Sequence, residues 1–521
     1  MTQIRCDRTA AWGTLLAMYQ TGGRALDLRS AFAQDPTRFE RLSLQAPHVF
    51  ADLSKNLIDA PIRAQLTALA QECGVAAHRD AMFRGEAINR SEDRAAMHWL
   101  LRQPEDATVP ETHGVRQAWQ VVTATRDAML AYAQAVRADE TITDVVHIGI
   151  GGSELGPQMV VQALAAYATP GKRMHFISGL DGQEIDAVLR PLKPEHTLFL
   201  VASKSFTTVE TMTNARAARD WFTARGGRDV ARHFWALTSN AAAASEFGIA
   251  TRFDLWDWVG GRFSLWSAIG LPIAIAIGPA RFRELLAGAH AMDMHFRNAA
   301  LADNLPVQLA LLDLWYRNFH GFGSRCVAPY ATGLRRLPAF LQQLEMESNG
   351  KRVDMHGQAL PQASAPVVWG ESGINGQHAF FQMLHQGTDV VPVEFIVVRQ
   401  LGNELVLPAH QPMLLSSVLA QAQALMLGRS DPAGHGHMPG NRPSSVLLLE
   451  ALTPASVGAL IALYEHRVFV AGSLWGINSF DQWGVEFGKQ LAQGLVARLG
   501  SGDVGGLDAS TAGLLRRLRG G

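Results

Sequence analysis

An apolar run ending at Ala202 gives way at once to Ser203, Lys204, Ser205, Thr207 and Thr208, after which the apolar spacing turns helical. Four hydroxyls and a cation at the end of a buried strand suit an anion, a phosphate above all, because hydroxyls and free amides at a helix start bind oxyanions with specific geometry. Ser and Thr also serve as helix caps; one cap needs one hydroxyl, and the density here favours the anion. The GxxxxGK spacing of a P-loop is absent. Upstream, HIGIGGSELGP (147–157) runs a strand into four glycines, Gly152 among them, and Ser153. Bare backbone there admits a ligand to the amides at the start of a helix, although a plain tight turn needs the same glycines. A dinucleotide fingerprint fails, since G-x-G-x-x-G starting at Gly149 would require glycine where Glu154 stands.

Four further stretches carry groups able to move protons or stabilise charge. DWVGGRFSLWSAIG places Arg262 directly after Gly260 and Gly261. Its permanent charge could stabilise a developing oxyanion, or it could pair structurally with Asp257 or Asp254. QQLEMESNGKR sets Glu345 and Glu347 on either side of Met346, so that on a helix one faces solvent and the other a cleft. A cleft carboxylate is a candidate general base. His378 opens an apolar helical run and is placed for proton transfer. It lies seven residues from His385, which is no helical zinc pair, and no HExxH occurs; a hydrogen-bonded interior histidine is the plainer alternative. Gln482, Glu486 and Lys489 fit one side of a helix, where an ordinary Glu–Lys pair would explain two of them.

The elements that must hold these groups read as two domains. The chain has 521 residues, more than one core usually supports. Apolar residues make up 48% and charged residues 18%, which argues against disorder. A net charge of -1 gives no global field for nucleic acid or anionic lipid. Cys6, Cys73 and Cys326 are scattered and form no CxxC, which argues against a disulfide framework or a cysteine zinc site and suits a reducing cytosol. The first ten residues lack a signal peptide's apolar core, so a cytoplasmic location is expected. The uncharged run Phe263–Ala280 approaches membrane length but holds Pro272 and Pro279, and reads as a buried helix.

DPTRFERLSL and SEDRAAMHWLLR, the latter capped at Ser91, predict helices in the first hundred residues. From Asp144 onward, β-rich runs near Arg173, His196, Arg232, Ser324, Ala365 and Val390 alternate with helical stretches. That alternation indicates parallel sheets covered on both faces. The expected division is an N-terminal helical segment over 1–111 packing on the larger domain, α/β domains over 112–278 (small) and 279–490 (large), and a helical tail over 491–521.

Taken together, these stretches resemble the phosphoglucose isomerase family. DWVGGRFSLWSAIG and GSLWGINSFDQWGVEFGK are similar to its two long signatures, in the expected order. GIGGSELGP, SKSFTT, QLEMESNGK and NGQHAFFQMLHQGT match too, as do DPTRFERLSL, SKNLID and FRGEAINRSEDRAAMHW, so the likeness covers all but the ends. The resemblance implies two sugar-isomerase (SIS) αβα sandwich domains with parallel-rich sheets, plus N-terminal helices and a C-terminal helical tail. It implies reversible isomerisation of glucose 6-phosphate to fructose 6-phosphate, in glycolysis and gluconeogenesis, through ring opening and a cis-enediol(ate), without metal or organic cofactor. By the same resemblance, Ser203, Lys204, Ser205 and Thr208 bind the 6-phosphate, Lys204 through its amide, with Ser153 and the Gly152 backbone nearby. Glu347 shuttles the proton between carbons 2 and 1. Arg262, beside Gly261, stabilises the enediolate, and Gln343 and Gln482 orient the chain. His378, reaching across a homodimer interface, and Lys489 open and close the ring.

Ser205 departs from the family's usual threonine: the hydroxyl remains, without the methyl that restricts its rotamer. Two rival readings are a non-catalytic sugar-phosphate sensor and an enzyme acting on another sugar phosphate. A sensor would need the hydroxyls but not Glu347, Arg262, His378 and Lys489. A glutamine-using synthase would need an N-terminal nucleophilic cysteine, a position Cys6 does not occupy.

Overall fold

The computed structural model describes residues 4–400 and 409–520. Eleven strands are assigned among them: β1 (Ser43–Ala46), β2 (Val49–Asp52), β3 (Asp144–Ile148), β4 (Arg173–Ile177), β5 (Thr197–Ala202), β6 (Phe234–Leu237), β7 (Thr251–Phe253), β8 (Ser324–Tyr330), β9 (Val367–Trp369), β10 (Val393–Gln400) and β11 (Ser444–Ala451). They form two sheets with helices packed against them, the mixed α/β architecture the resemblance implies.

The smaller sheet runs β4-β3-β5-β6-β7 with every neighbour parallel. Each residue of β3 and β5 is buried, as parallel strands covered on both faces require. Phe199 stacks on Phe234 with ring centroids 4.4 Å apart, at the centre of a core that includes Val146, Val201 and Phe222. The larger sheet runs β1-β2-β11-β10-β8-β9. Its β11, β10, β8 and β9 are parallel, while β2 lies antiparallel to β11 and turns back into β1.

Several local expectations change. The hairpin β1–β2 replaces the helix read over DPTRFERLSL, of which only Arg38–Arg41 is helical. SEDRAAMHWLLR yields only a short 3-10 segment, His98–Arg102, all of it buried. Burial of Arg102 among acidic partners overrides the amphipathic pattern, since local propensity is a weak prior against tertiary demands. The uncharged run from Phe263 is buried but broken: 3-10 segments Gly261–Trp266 and Ala268–Gly270 lead to a seven-residue helix, Leu271–Ile277, which ends at Gly278 with φ +91°. The one helix among the described residues long and apolar enough to cross a membrane is Pro454–Trp475, and it is buried throughout the molecule.

The chain divides into two compact units, one running to Ser479 and one beginning at Phe480. Both sheets belong to the first. The second holds the helices Glu486–Ser501 and Ala509–Leu518; Asp508 caps the latter by accepting from the amides of Ser510 and Thr511.

Candidate active site

Topology points to a location before any side chain does. In the smaller sheet β3 comes first in the chain, yet β4 flanks it on one side and β5 on the other. The connections after β3 and β5 therefore diverge, and open α/β sheets bind ligands in the crevice at such a switch point. The two loops leaving these strands are the glycine-rich turn at 149–153 and the hydroxyl loop at 203–208.

In the hydroxyl loop, Ser203 is buried and its Oγ lies 3.0 Å from Thr208 Oγ1; exposed Ser205 lies 2.7 Å from Thr207 Oγ1. Phe206 packs into the core below, with φ at +57°. The Lys204 carbonyl accepts from Ser239 N at 3.0 Å, Ser239 Oγ at 2.7 Å and Thr238 Oγ1 at 2.9 Å. The Lys204 ammonium turns to Asp257 Oδ1, 3.0 Å away. That hydrogen bond leads the causes holding the Asp257 carboxyl below its ordinary range. The cation is thus engaged by the Asp257 side chain.

The glycine turn is held from below and pressed from the side. His147, fully buried on β3, places Nε2 2.6 Å from the Ser153 carbonyl; burial drives its imidazole down to about 4. A methyl on Gly152 would lie 2.1 Å from the Gly261 carbonyl carbon and oxygen and 2.6 Å from the Arg262 amide nitrogen, so only glycine allows this contact. At Gly151, φ is +59°, and a methyl would meet the Gln343 side-chain amide at 3.0 Å. Ser264 Oγ donates to the Gly261 carbonyl at 2.7 Å. Gly152, Ser153, Gly261, Arg262 and Gln343 are therefore brought together.

Arg262 is 3% exposed. Its Nε donates to Ser348 Oγ at 2.6 Å, its Nη2 to the Ser479 carbonyl at 2.6 Å, and its Nη1 lies 3.8 Å from Glu347 Oε2. Asp257 pairs with Lys204 instead, and Asp254 with Arg252. Glu347 ends a π-helical turn, Gln342–Glu347, a rare element that recurs at functional sites. Glu345 and Glu347 do diverge, but Glu345 enters the core and binds Arg325 rather than facing solvent.

His378 is not at a helix start. It caps the C-terminus of the short helix Gly373–Gln377 and is exposed. No hydrogen bond or ion pair joins it to Arg262 or Glu347 among the described residues. In the C-terminal unit, Lys489 lies on the helix Glu486–Ser501, 3.1 Å from Glu486. Gln482 precedes that helix with φ -151°, so the three do not share one helical side as the spacing led us to expect. A mainly apolar cavity of about 950 Å³ opens among Gln162, Ala331, Ile374 and Leu414, and none of the candidate residues lines it.

A phosphoglucose isomerase family model matches residues 52–515 of this chain. The chain belongs to the phosphoglucose isomerase family. A glucose-6-phosphate isomerase of Albidiferax ferrireducens is 67% identical over 100% of both chains, and one of Methylibium petroleiphilum is 58% identical over 99% of this chain and 98% of its own. Among solved structures, a glucose-6-phosphate isomerase from Chlamydia trachomatis superposes with a TM-score of 0.91 at 33% identity, covering 99% of each chain.

Some residues that hold this arrangement together escape the motif reading. Ser348 and the Ser479 carbonyl anchor Arg262, and Asn349 accepts from Ser479 Oγ at 2.7 Å. Ser348 and Asn349 lie within the QQLEMESNGKR stretch, directly after Glu347. Only the fold reveals that they face Arg262 and Ser479.

Proposed function

We propose that this chain interconverts glucose 6-phosphate and fructose 6-phosphate with Glu347 as the base and Arg262 as the stabiliser of the intermediate. The isomerase activity follows the family and its full-length relatives. The assignment of residues rests on one observation: buried Arg262, anchored on Ser348 Oγ and the Ser479 carbonyl, holds its Nη1 3.8 Å from the Glu347 carboxylate.

Opening the sugar ring exposes carbon 1 as a carbonyl. Glu347 then removes the proton from carbon 2 as the electron pair moves to the carbonyl oxygen; a proton passes from the carbon-2 hydroxyl to that oxygen, and the same carboxyl returns its proton to carbon 1 as the carbonyl forms at carbon 2. One carboxylate serving both carbons requires them on one face, which makes the intermediate cis. Arg262 offsets the negative charge that develops on its oxygens. Ser203, Ser205, Thr208 and the Lys204 amide hold the distant phosphate, with Ser153 and the Gly152 amide beside them, and Gln343 and Gln482 orient the open chain. Holding the substrate by its tail converts weak contacts into orientation at the reacting end.

His378 and Lys489 are assigned to ring opening, His378 acting from the second subunit of a homodimer. The exposure of His378 in a single chain supports that arrangement. Mixing His378→Ala with Glu347→Gln homodimers tests it: subunit exchange rebuilds one intact site per mixed dimer and restores about a quarter of normal activity. No recovery after verified exchange would place His378 in its own subunit's site. We place the reaction in the cytoplasm, without a membrane or nucleic-acid partner. A coupled assay with fructose 6-phosphate in the presence of a chelator tests the reaction and its independence of metal; absence of turnover would favour the sensor reading.

A further inference from the structure

The buried helix Pro454–Trp475 carries Glu465, His466 and Arg467 in succession. Charges in such a place are costly unless paired. Consecutive residues leave a helix in different directions, and here they lead to the two halves of the site.

Glu465 leads to the arginine. Its Oε1 accepts from Trp266 Nε1 at 2.8 Å, and Trp266 closes the 3-10 segment Gly261–Trp266 that bears Arg262. Its Oε2 binds Arg102, which in turn grips both oxygens of Asp293 at 2.7 and 2.6 Å. His466 Nε2 lies 2.7 Å from the same Asp293. Arg467 leads to the base. It binds both oxygens of Asp313, at 2.6 and 2.7 Å, and Glu394 at 2.6 Å. Asp313 also takes Arg325 at 2.7 Å, and Arg325 binds Glu345 at 2.5 Å. Glu345 stands in the π-helical turn two residues before Glu347.

In this second network three carboxylates face two guanidiniums. Burial pushes the Glu345 carboxyl up against the pull of Arg325. Burial opposes ionisation of Asp313 and Glu394 too, but the flanking arginines outweigh it and hold both low. Apolar residues of similar volume often stabilise such interiors as well or better. What an ion network adds is direction, and direction matters where a 1 Å misplacement costs about a hundredfold in rate.

We propose that Glu465 and Arg467, acting through Trp266 and Arg102 on one side and through Asp313, Arg325 and Glu345 on the other, are positioning residues that set the Arg262–Glu347 separation. One rigid helix thereby serves as the common reference for the stabilising cation and the base. This inference rests on the roles given above to Arg262 and Glu347.

Glu345→Gln and Trp266→Phe test the two arms separately, with two phosphorylated probes: a hydroxamate mimic of the enediolate, and sorbitol 6-phosphate, which lacks the planar reacting end. Each variant is expected to lower kcat per folded molecule by about 10- to 100-fold. The hydroxamate should bind more weakly by a similar factor, and sorbitol 6-phosphate within about twofold of normal. The double variant should lose less than the product of the two, because both act on one distance. Unchanged kcat and hydroxamate binding in folded single variants would overturn the proposal, as would equal weakening of both probes. Should Glu345→Gln not fold, Trp266→Phe, which removes one N–H and no charge, decides by the same criteria. Glu347→Gln runs in parallel: normal turnover there removes the base assignment, and the network is then judged from the two probes alone.

Discussion

The hydroxyl loop after β5 and the Arg262–Glu347 pair, to which we assign the two ends of one substrate, are held in different ways. In the loop, hydroxyls satisfy one another, Ser203 with Thr208 and Ser205 with Thr207, and neutral backbone contacts from Thr238 and Ser239 support it. Its one cation is drawn aside to Asp257. Behind the Arg262–Glu347 pair stand two buried ion networks and a fully buried helix. The difference follows from the tasks. Groups that receive a phosphate must be able to exchange partners when it arrives, and hydroxyls can both donate and accept. Groups that act on developing charge lose their effect if they must reorganise at that moment, so their supports are directional and closed to water.

That contrast can be broken or sharpened by experiment. The largest effect is expected at the centre: Glu347→Gln should lower kcat by ~10²–10⁴-fold, the usual worth of a positioned acid–base group, while inhibition by sorbitol 6-phosphate stays unchanged. Near-normal turnover would erase the distinction between the two regions. A second expectation concerns stability. Burial pushes the His147 imidazole down to about 4 from its ordinary value of about 6.5. Its contribution is therefore complete above pH ~6.5 and is lost as pH falls toward 4, because the unfolded chain takes up a proton that the folded one refuses. The loss amounts to roughly 3 kcal/mol. Denaturant titrations from pH 7 to 4 should show it, and a His147→Gln variant should lack that part of the slope.

Smaller effects belong to the hydroxyl loop. Ser203→Ala should weaken sorbitol 6-phosphate and raise KM by about tenfold, the scale of one or two hydrogen bonds, with kcat little changed. A large fall in kcat with unaltered binding would mean that this loop takes part in the chemical step. Smallest of all, Ser205→Thr should tighten the inhibitor by no more than about twofold, since the methyl only narrows the rotamers of a hydroxyl already bonded to Thr207.

Much of this molecule was legible in its residues. Strands such as 198–202 are continuous apolar runs, and the glycines and hydroxyls that follow them announce a ligand-facing strand end. The hairpin at 43–52 was not legible, because its strands are only four residues long and β2 joins the sheet through β11, some four hundred residues away. SEDRAAMHWLLR misled because Arg102 looks like the polar face of a helix, whereas its charge is spent on Asp293 and Glu465. The divergence of Glu345 from Glu347 could be read from helical geometry; that Glu345 would go inward could not, since Arg325 and Arg467 meet it only through the fold. For His378 the resemblance supplies the role, and the single chain shows an exposed side chain between two short helices.

The apposition of Gly152 with Gly261 bears on redesign. With main chain resting on main chain, there is no side chain at residue 152 to trim or enlarge, and alanine alone would force the two loops apart. Attempts to retune this enzyme for bulkier or shorter sugars therefore have little to gain at that seam. Gln343, whose amide leans over Gly151, offers the nearest adjustable surface.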